Sequence, residues 1–217
     1  MKKHITIGLL AVAALMLTTA ASQAALYHVT LNTAPLNSAP ASLNAPFSLD
    51  FQFASGGTAG NNTISLGNFS FTGGSAFGAA STFGSASGSL FSTVSLTDSF
   101  TPSELFQQFT AGTTAIGFDV TTTTNIDPGL TPDQFSVAIL DNTTGQITTN
   151  SPDTLSLLTY DIASATPLAG DVHTYSGTGD YAGVTATAVP EPTTACVGFG
   201  LAMVGMLSRR TRRVSVA

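Results

Sequence analysis

The strongest constraint on the fold is a two-residue alternation that recurs along the middle of the chain. Phe47, Leu49, Phe51 and Phe53 are apolar, and Ser48, Asp50 and Gln52 lie between them. Successive side chains of an extended strand point to opposite faces, so this run puts four apolar groups on one side of a sheet. Ile64 and Leu66 around Ser65, and Phe69 and Phe71 around Ser70, repeat the pattern. Ile116, Phe118 and Val120 do so again, followed by a threonine run suited to strand. Phe135, Val137 and Ile139 lead into Asp141-Asn142-Thr143-Thr144-Gly145 and then residues 146–149, which predicts a hairpin. Residues 155–160 and 183–189 read as further strands. The spacing of turn signals predicts an all-β chain with a single antiparallel β-sandwich, jelly-roll-like, over residues 25–188.

Two stretches resist the alternation. Thr101-Pro102-Ser103-Glu104 has the N-cap, N1 proline and N3 acid of a capping box, so a short helix over 102–108 fits. A strand through Phe106, Phe109 and Gly112 fits equally well. Residues 73–93 are low in complexity and hold two near-copies, Phe77-Gly78-Ala79-Ala80-Ser81 and Phe83-Gly84-Ser85-Ala86-Ser87. They read either as an exposed aromatic loop that stacks on sugar rings or as a glycine-rich loop whose phenylalanines tuck into the core. The absence of Trp favours the second, because sugar platforms draw mostly on Trp and Tyr.

Charge narrows the partners. The six Lys and Arg of the 217-residue chain all lie at its ends, as Lys2, Lys3, Arg209, Arg210, Arg212 and Arg213. Residues 25–188 carry eleven acids and no Lys or Arg, a formal charge of -11 against -6 for the whole chain. Such a surface cannot neutralise phosphates, which excludes nucleic acid as a partner, and it repels anionic lipids and acidic polymers. Neutral glycans and divalent cations remain as partners. The single cysteine, Cys196, allows no intrachain disulfide, so the domain holds together by its core.

Residue sets for catalysis are sparse, and no enzyme activity is expected. Gly84-Ser85-Ala86-Ser87-Gly88 has Ala where a nucleophile elbow needs Ser. The stretch 25–188 offers no Cys, Lys or Arg for covalent catalysis, and His28 and His173 lack partners at metal-ligand spacing. A carboxylate pair brought together in space is the one catalytic arrangement that sequence spacing leaves open. Asp127, Asp133 and Asp141 sit in turn-like contexts and could supply oxygens to a structural Ca²⁺. Asx-turns in solvated loops account for the same residues without a cofactor.

The two ends read as processing segments. Lys2 and Lys3, an apolar run over 5–17 and Ser22-Gln23-Ala24 form a secretory signal over 1–24, with a helical apolar part and cleavage by signal peptidase between Ala24 and Ala25. Residues 189–217 have three parts: Val189-Pro190-Glu191-Pro192, an apolar segment over 193–208, and the cluster Arg209, Arg210, Arg212 and Arg213. As a helix of 16 residues the apolar segment is roughly 24 Å long, a short transmembrane span. The arginines then act as a cytoplasmic stop-transfer signal, so the intervening domain lies outside the cytoplasm.

The ordered tail, with Pro190, Glu191 and Pro192 ahead of a short apolar span and an Arg cluster, resembles the sorting signal of PEP-CTERM proteins. The resemblance implies recognition and C-terminal cutting by an exosortase, transient residence in the inner membrane through 193–208, and a final place at the cell surface with exopolysaccharide. Residues 46–53, 60–71 and 131–141 also resemble a recurring subset of these proteins, which supplies a shared domain and no activity. The expected function is that of a non-enzymatic cell-surface or matrix protein. The alternatives are a carbohydrate-binding module using a sheet face or loop end, and a glycan-active enzyme.

Overall fold

The computed structural model describes residues 25–127, 129–142, 145–163 and 171–190. The expected signal segment up to Ala24 lies outside them. So do Glu191, Pro192, the apolar span and the four terminal arginines. Among the described residues no helix is long and apolar enough to cross a membrane.

The described residues are all-β and form two antiparallel sheets of six strands each. The first sheet contains β1 (Ala25–Asn32), β3 (Thr63–Thr72), β5 (Ala86–Gly88), β6 (Val94–Thr97), β8 (Ala115–Thr122) and β12 (Thr185–Pro190), in the order β12-β1-β8-β3-β6-β5. The second contains β2 (Ser48–Ala54), β4 (Ala76–Phe83), β7 (Ser103–Phe109), β9 (Asp133–Leu140), β10 (Leu158–Ile162) and β11 (Val172–Thr174), in the order β11-β10-β9-β2-β7-β4. The pairings β1 with β8, β2 with β7 and β3 with β6 nest inside one another, with β4 and β5 at the closed end. That is the pattern of one long two-stranded ribbon rolled over on itself. Rolling also brings β8 beside β3 and β7 beside β4. The strands β9 to β11 extend the second sheet, and β12 returns to pair with β1.

Alternation dictates which face is buried. Leu49, Phe51 and Phe53 of β2 are fully buried, as are Ile116 and Phe118 of β8 and Phe135, Val137 and Ile139 of β9. Rings from the two sheets meet in the middle. Phe51 stands edge-on to Phe118 at 5.4 Å, and Tyr27 meets Tyr160 at 5.5 Å. Each such ring removed from water contributes roughly 1.5–3 kcal/mol, which serves here in place of disulfides.

One open alternative is resolved and three local expectations change. Residues 103–109 form a strand and no helix, because Ser103, Leu105, Gln107 and Phe109 all turn inward. The inward Gln107 hid this period, and it is satisfied by accepting from Leu90 N at 2.7 Å and donating to Gly78 O at 2.7 Å. The hairpin after β9 closes through Asp141 N to Gly145 O at 2.9 Å, but residues 146–149 continue only as isolated bridges. The strand expected over 155–160 starts three residues later, since Asp153 gathers the N–H groups of Leu155 and Ser156 into a turn. In β3 the register shifts between Gly67 and Ser70, with Asn68 at φ 52°, so Phe69 and Phe71 are only partly buried.

Candidate functional site

The unusual chemistry collects on the outer face of the second sheet, at the β2–β7–β4 side. Directly opposed residues in an antiparallel pair share a face. Phe83 of β4 opposes Glu104 of β7, Ser81 opposes Phe106, and Phe77 opposes Gln108. Across β7, Glu104 opposes Gln52 of β2, Phe106 opposes Asp50, and Gln108 opposes Ser48. Phe77, Phe83 and Phe106 are 56%, 57% and 38% exposed. The expectation that the phenylalanines of the low-complexity stretch tuck into the core is therefore overturned. Ala76 and Ala80 turn toward the core instead, where Leu90, Gln107 and Phe109 already fill the space at this edge.

Beneath the rings lies a carboxyl pair. Asp50 points outward from the sheet yet is only 1% exposed. Its Oδ2 accepts hydrogen bonds from Gln52 Nε2 at 2.8 Å and Gln146 Nε2 at 3.1 Å. The Gln146 arm reaches over from the segment after β9, and Ala138, the residue opposite Asp50 on β9, is small enough to let it pass. Oδ1 of Asp50 has no hydrogen-bonding partner. Gln52 Nε2 also donates to Glu104 Oε1 at 3.4 Å, tying the two acids together. Burial pushes the Asp50 carboxyl up to about 6; the Gln146 hydrogen bond opposes this, and the Glu104 charge adds to it.

The structure brings together two of the three acids weighed as calcium ligands. Asp127 and Asp133 meet at the end of the sheets where β2 finishes, joined there by Asp98. Asp127 accepts from Thr58 N at 2.5 Å and Asn61 Nδ2 at 3.0 Å. Asp133 accepts from Gly56 N at 2.9 Å and Asn62 Nδ2 at 2.7 Å. Asp98 accepts from Asn62 N at 2.6 Å and Gly60 N at 2.9 Å. All six oxygens thus meet N–H donors from residues 56–62. Asp141 lies at the far end of β9, bound by Gly145 N at 3.2 Å and Tyr181 Oη at 3.0 Å. Among the described residues no set of three His, Cys, Asp or Glu is arranged to hold a metal.

Two further features stand apart from the aromatic face. His28 sits exposed on β1, and it has a partner that sequence spacing gave no hint of. Asp119 of β8 lies directly opposite and meets His28 Nδ1 at 2.7 Å, while Asn68 Nδ2 donates to the same carboxylate at 2.7 Å. The Asn68 and His28 hydrogen bonds hold Asp119 below the usual carboxylate range. Ser70 is near this pair, and its hydroxyl donates to the Gly117 carbonyl at 3.5 Å. A groove of about 470 Å³ opens at the opposite end of the sheets from Asp133, lined by Leu36, Ala45, Phe47 and Phe109 among others. None of its described lining residues is titratable.

No family model, no curated protein and no solved structure matches this chain.

Proposed function

We propose that this is an exported, non-enzymatic protein of the cell surface or extracellular matrix, sorted by its tail through an exosortase and held in exopolysaccharide. Its domain is read as a jelly-roll-like β-sandwich. The observation that carries the reading is the ordered terminal segment, Pro190-Glu191-Pro192, apolar span and Arg209 to Arg213, in a chain that opens with a secretory signal.

The architecture supports this reading. β1 and β12 are antiparallel neighbours with Tyr27 opposite Pro190, so both ends of the domain leave it side by side. A domain hung from one membrane segment needs its tail at an end and free of its core. β12 meets that need, since it is an outermost strand of its sheet. The groove and the Phe77 end of the aromatic row then point away from the membrane. The non-enzymatic part of the reading is supported by both carboxyl groupings: Asp98, Asp127 and Asp133 have every oxygen engaged by N–H donors, and the Asp50–Glu104 pair is half covered. Asp50 is too deeply covered to reach a substrate, while glycoside hydrolysis needs both acids at the scissile bond.

Mass spectrometry of the protein recovered from the cell envelope tests the sorting. The expected mature chain begins at Ala25 and ends near Pro192. Recovery with Arg213 still attached would reduce the tail to an uncut anchor.

A further inference from the structure

We propose that the row Phe83–Phe106–Phe77, with Glu104, Ser81 and Gln108 between its rings, is the binding surface for a neutral polysaccharide. The inference rests on the reading above only for the protein's place outside the cell. Its failure would leave the sorting tail untouched.

The register builds the row. Phe106 lies diagonally between Phe83 and Phe77, because it is two residues from both Glu104 and Gln108, which oppose those rings. From Glu104 to Gln108 the row spans about 14 Å at ~3.4 Å per residue. It therefore suits several consecutive sugar rings better than a single one. Exposed aromatic rings on one sheet face are costly in water and mark an interaction surface. A pyranose ring offers them its C–H face, and its hydroxyls find acceptors in Glu104 and both donors and acceptors in Gln108, Ser81 and Gln52. The platform is also rigid. β4 is fastened to β7 by ladder hydrogen bonds on both sides of its bulge and by the buried Gln107, which donates to Gly78 O.

Charge excludes anionic occupants. Residues 25–188 contain no Lys or Arg, so an anionic polymer would meet only Glu104 and the buried Asp50 here. A second copy of the chain would bring the same acids face to face with no base to answer them. It would bury Glu104 as well, and burying an uncompensated charge is strongly unfavourable. A neutral polysaccharide covers the rings and hydrogen-bonds the carboxylate while bringing no charge of its own.

The test is electrophoresis of the full-length chain through native gels holding β-glucan, mannan, dextran or galactan, with polygalacturonate as the anionic control. The proposal expects retardation by at least one neutral polymer and none by polygalacturonate. Phe83→Ala and Phe106→Ala should each weaken that retardation at least fivefold. Phe100→Ala, which removes a ring 78% exposed in the loop between β6 and β7, outside the strands of the row, should leave it unchanged. All three rings are exposed, so the variants should melt as the parent does. Three results would overturn the proposal: a parent unretarded by every neutral polymer, Phe variants retarded as strongly as the parent, or a parent dimer that Phe106→Glu converts to monomer.

Discussion

The outer faces of the two sheets are built by the same alternation and differ in what it leaves outside. On the first sheet the outward residues are mainly hydroxyl-bearing: Thr30 on β1, Thr121 on β8, Ser65 on β3, Ser95 on β6 and Thr187 on β12. Its one outward acid, Asp119, is satisfied by His28 and Asn68. Among the described side chains of this sheet Val189, beside the tail, is the exposed large apolar one. The second sheet turns three aromatic rings outward and covers Asp50 while leaving one of its oxygens without a partner. A domain that only needed to be soluble would treat the two faces alike. The second face thus departs from the folding rule in two ways at one place, in its exposed rings and in a buried carboxylate oxygen without a partner.

Asp50→Asn breaks the comparison most strongly. Asp50 has a folded-state value of about 6 against roughly 3.9 unfolded, so the folded chain holds the proton longer. Stability is then undiminished near pH 4, falls as pH rises toward 6, and stays reduced above that. The asparagine removes this loss and should raise stability at pH 8 by about 2–3 kcal/mol relative to its effect at pH 4, read by urea unfolding at the two values. An unchanged difference between pH 4 and pH 8 would show that Asp50 titrates as an ordinary acid. Gln146→Ala removes one of the two donors on Oδ2 and should cost about 1–2 kcal/mol, more at pH 8 than at pH 4, because the ionised form loses most. On the other face Asp119→Asn should cost less than about 1 kcal/mol, since the His28 pair is open to solvent. A larger loss there would make the two faces equivalent after all. The smallest effect concerns the acids around Asp133. Their oxygens already meet N–H donors, so EDTA should leave the melting temperature unchanged. A fall of several degrees would mean that a structural cation holds that end.

Much of the fold was legible where side chains obey the alternation without exception. The run from Phe47 to Phe53 gave β2 and its buried face directly, and the same held for Phe118 in β8 and Phe135 in β9. Legibility failed where an inward residue is polar. Gln107 broke the pattern in β7, and a proline, a serine and an acid placed ahead of it imitated a helix start. It also failed in the glycine-rich stretch, where alanines rather than phenylalanines proved small enough for an edge already filled. The site itself had no local signal. Asp50 and Glu104 lie 54 positions apart, and only the rolled pairing of β2 with β7 makes them neighbours. His28 and Asp119 are 91 apart and meet for the same kind of reason.

The most direct measurement of the central claim is amide hydrogen exchange of the full-length chain with and without the neutral polysaccharide that retards it. Slowed exchange confined to residues 76–83 and 103–109, with residues 28–32 and 115–121 unchanged, is the predicted result. Protection appearing on β1 and β8 instead would place the ligand on the hydroxyl-lined face and contradict the account.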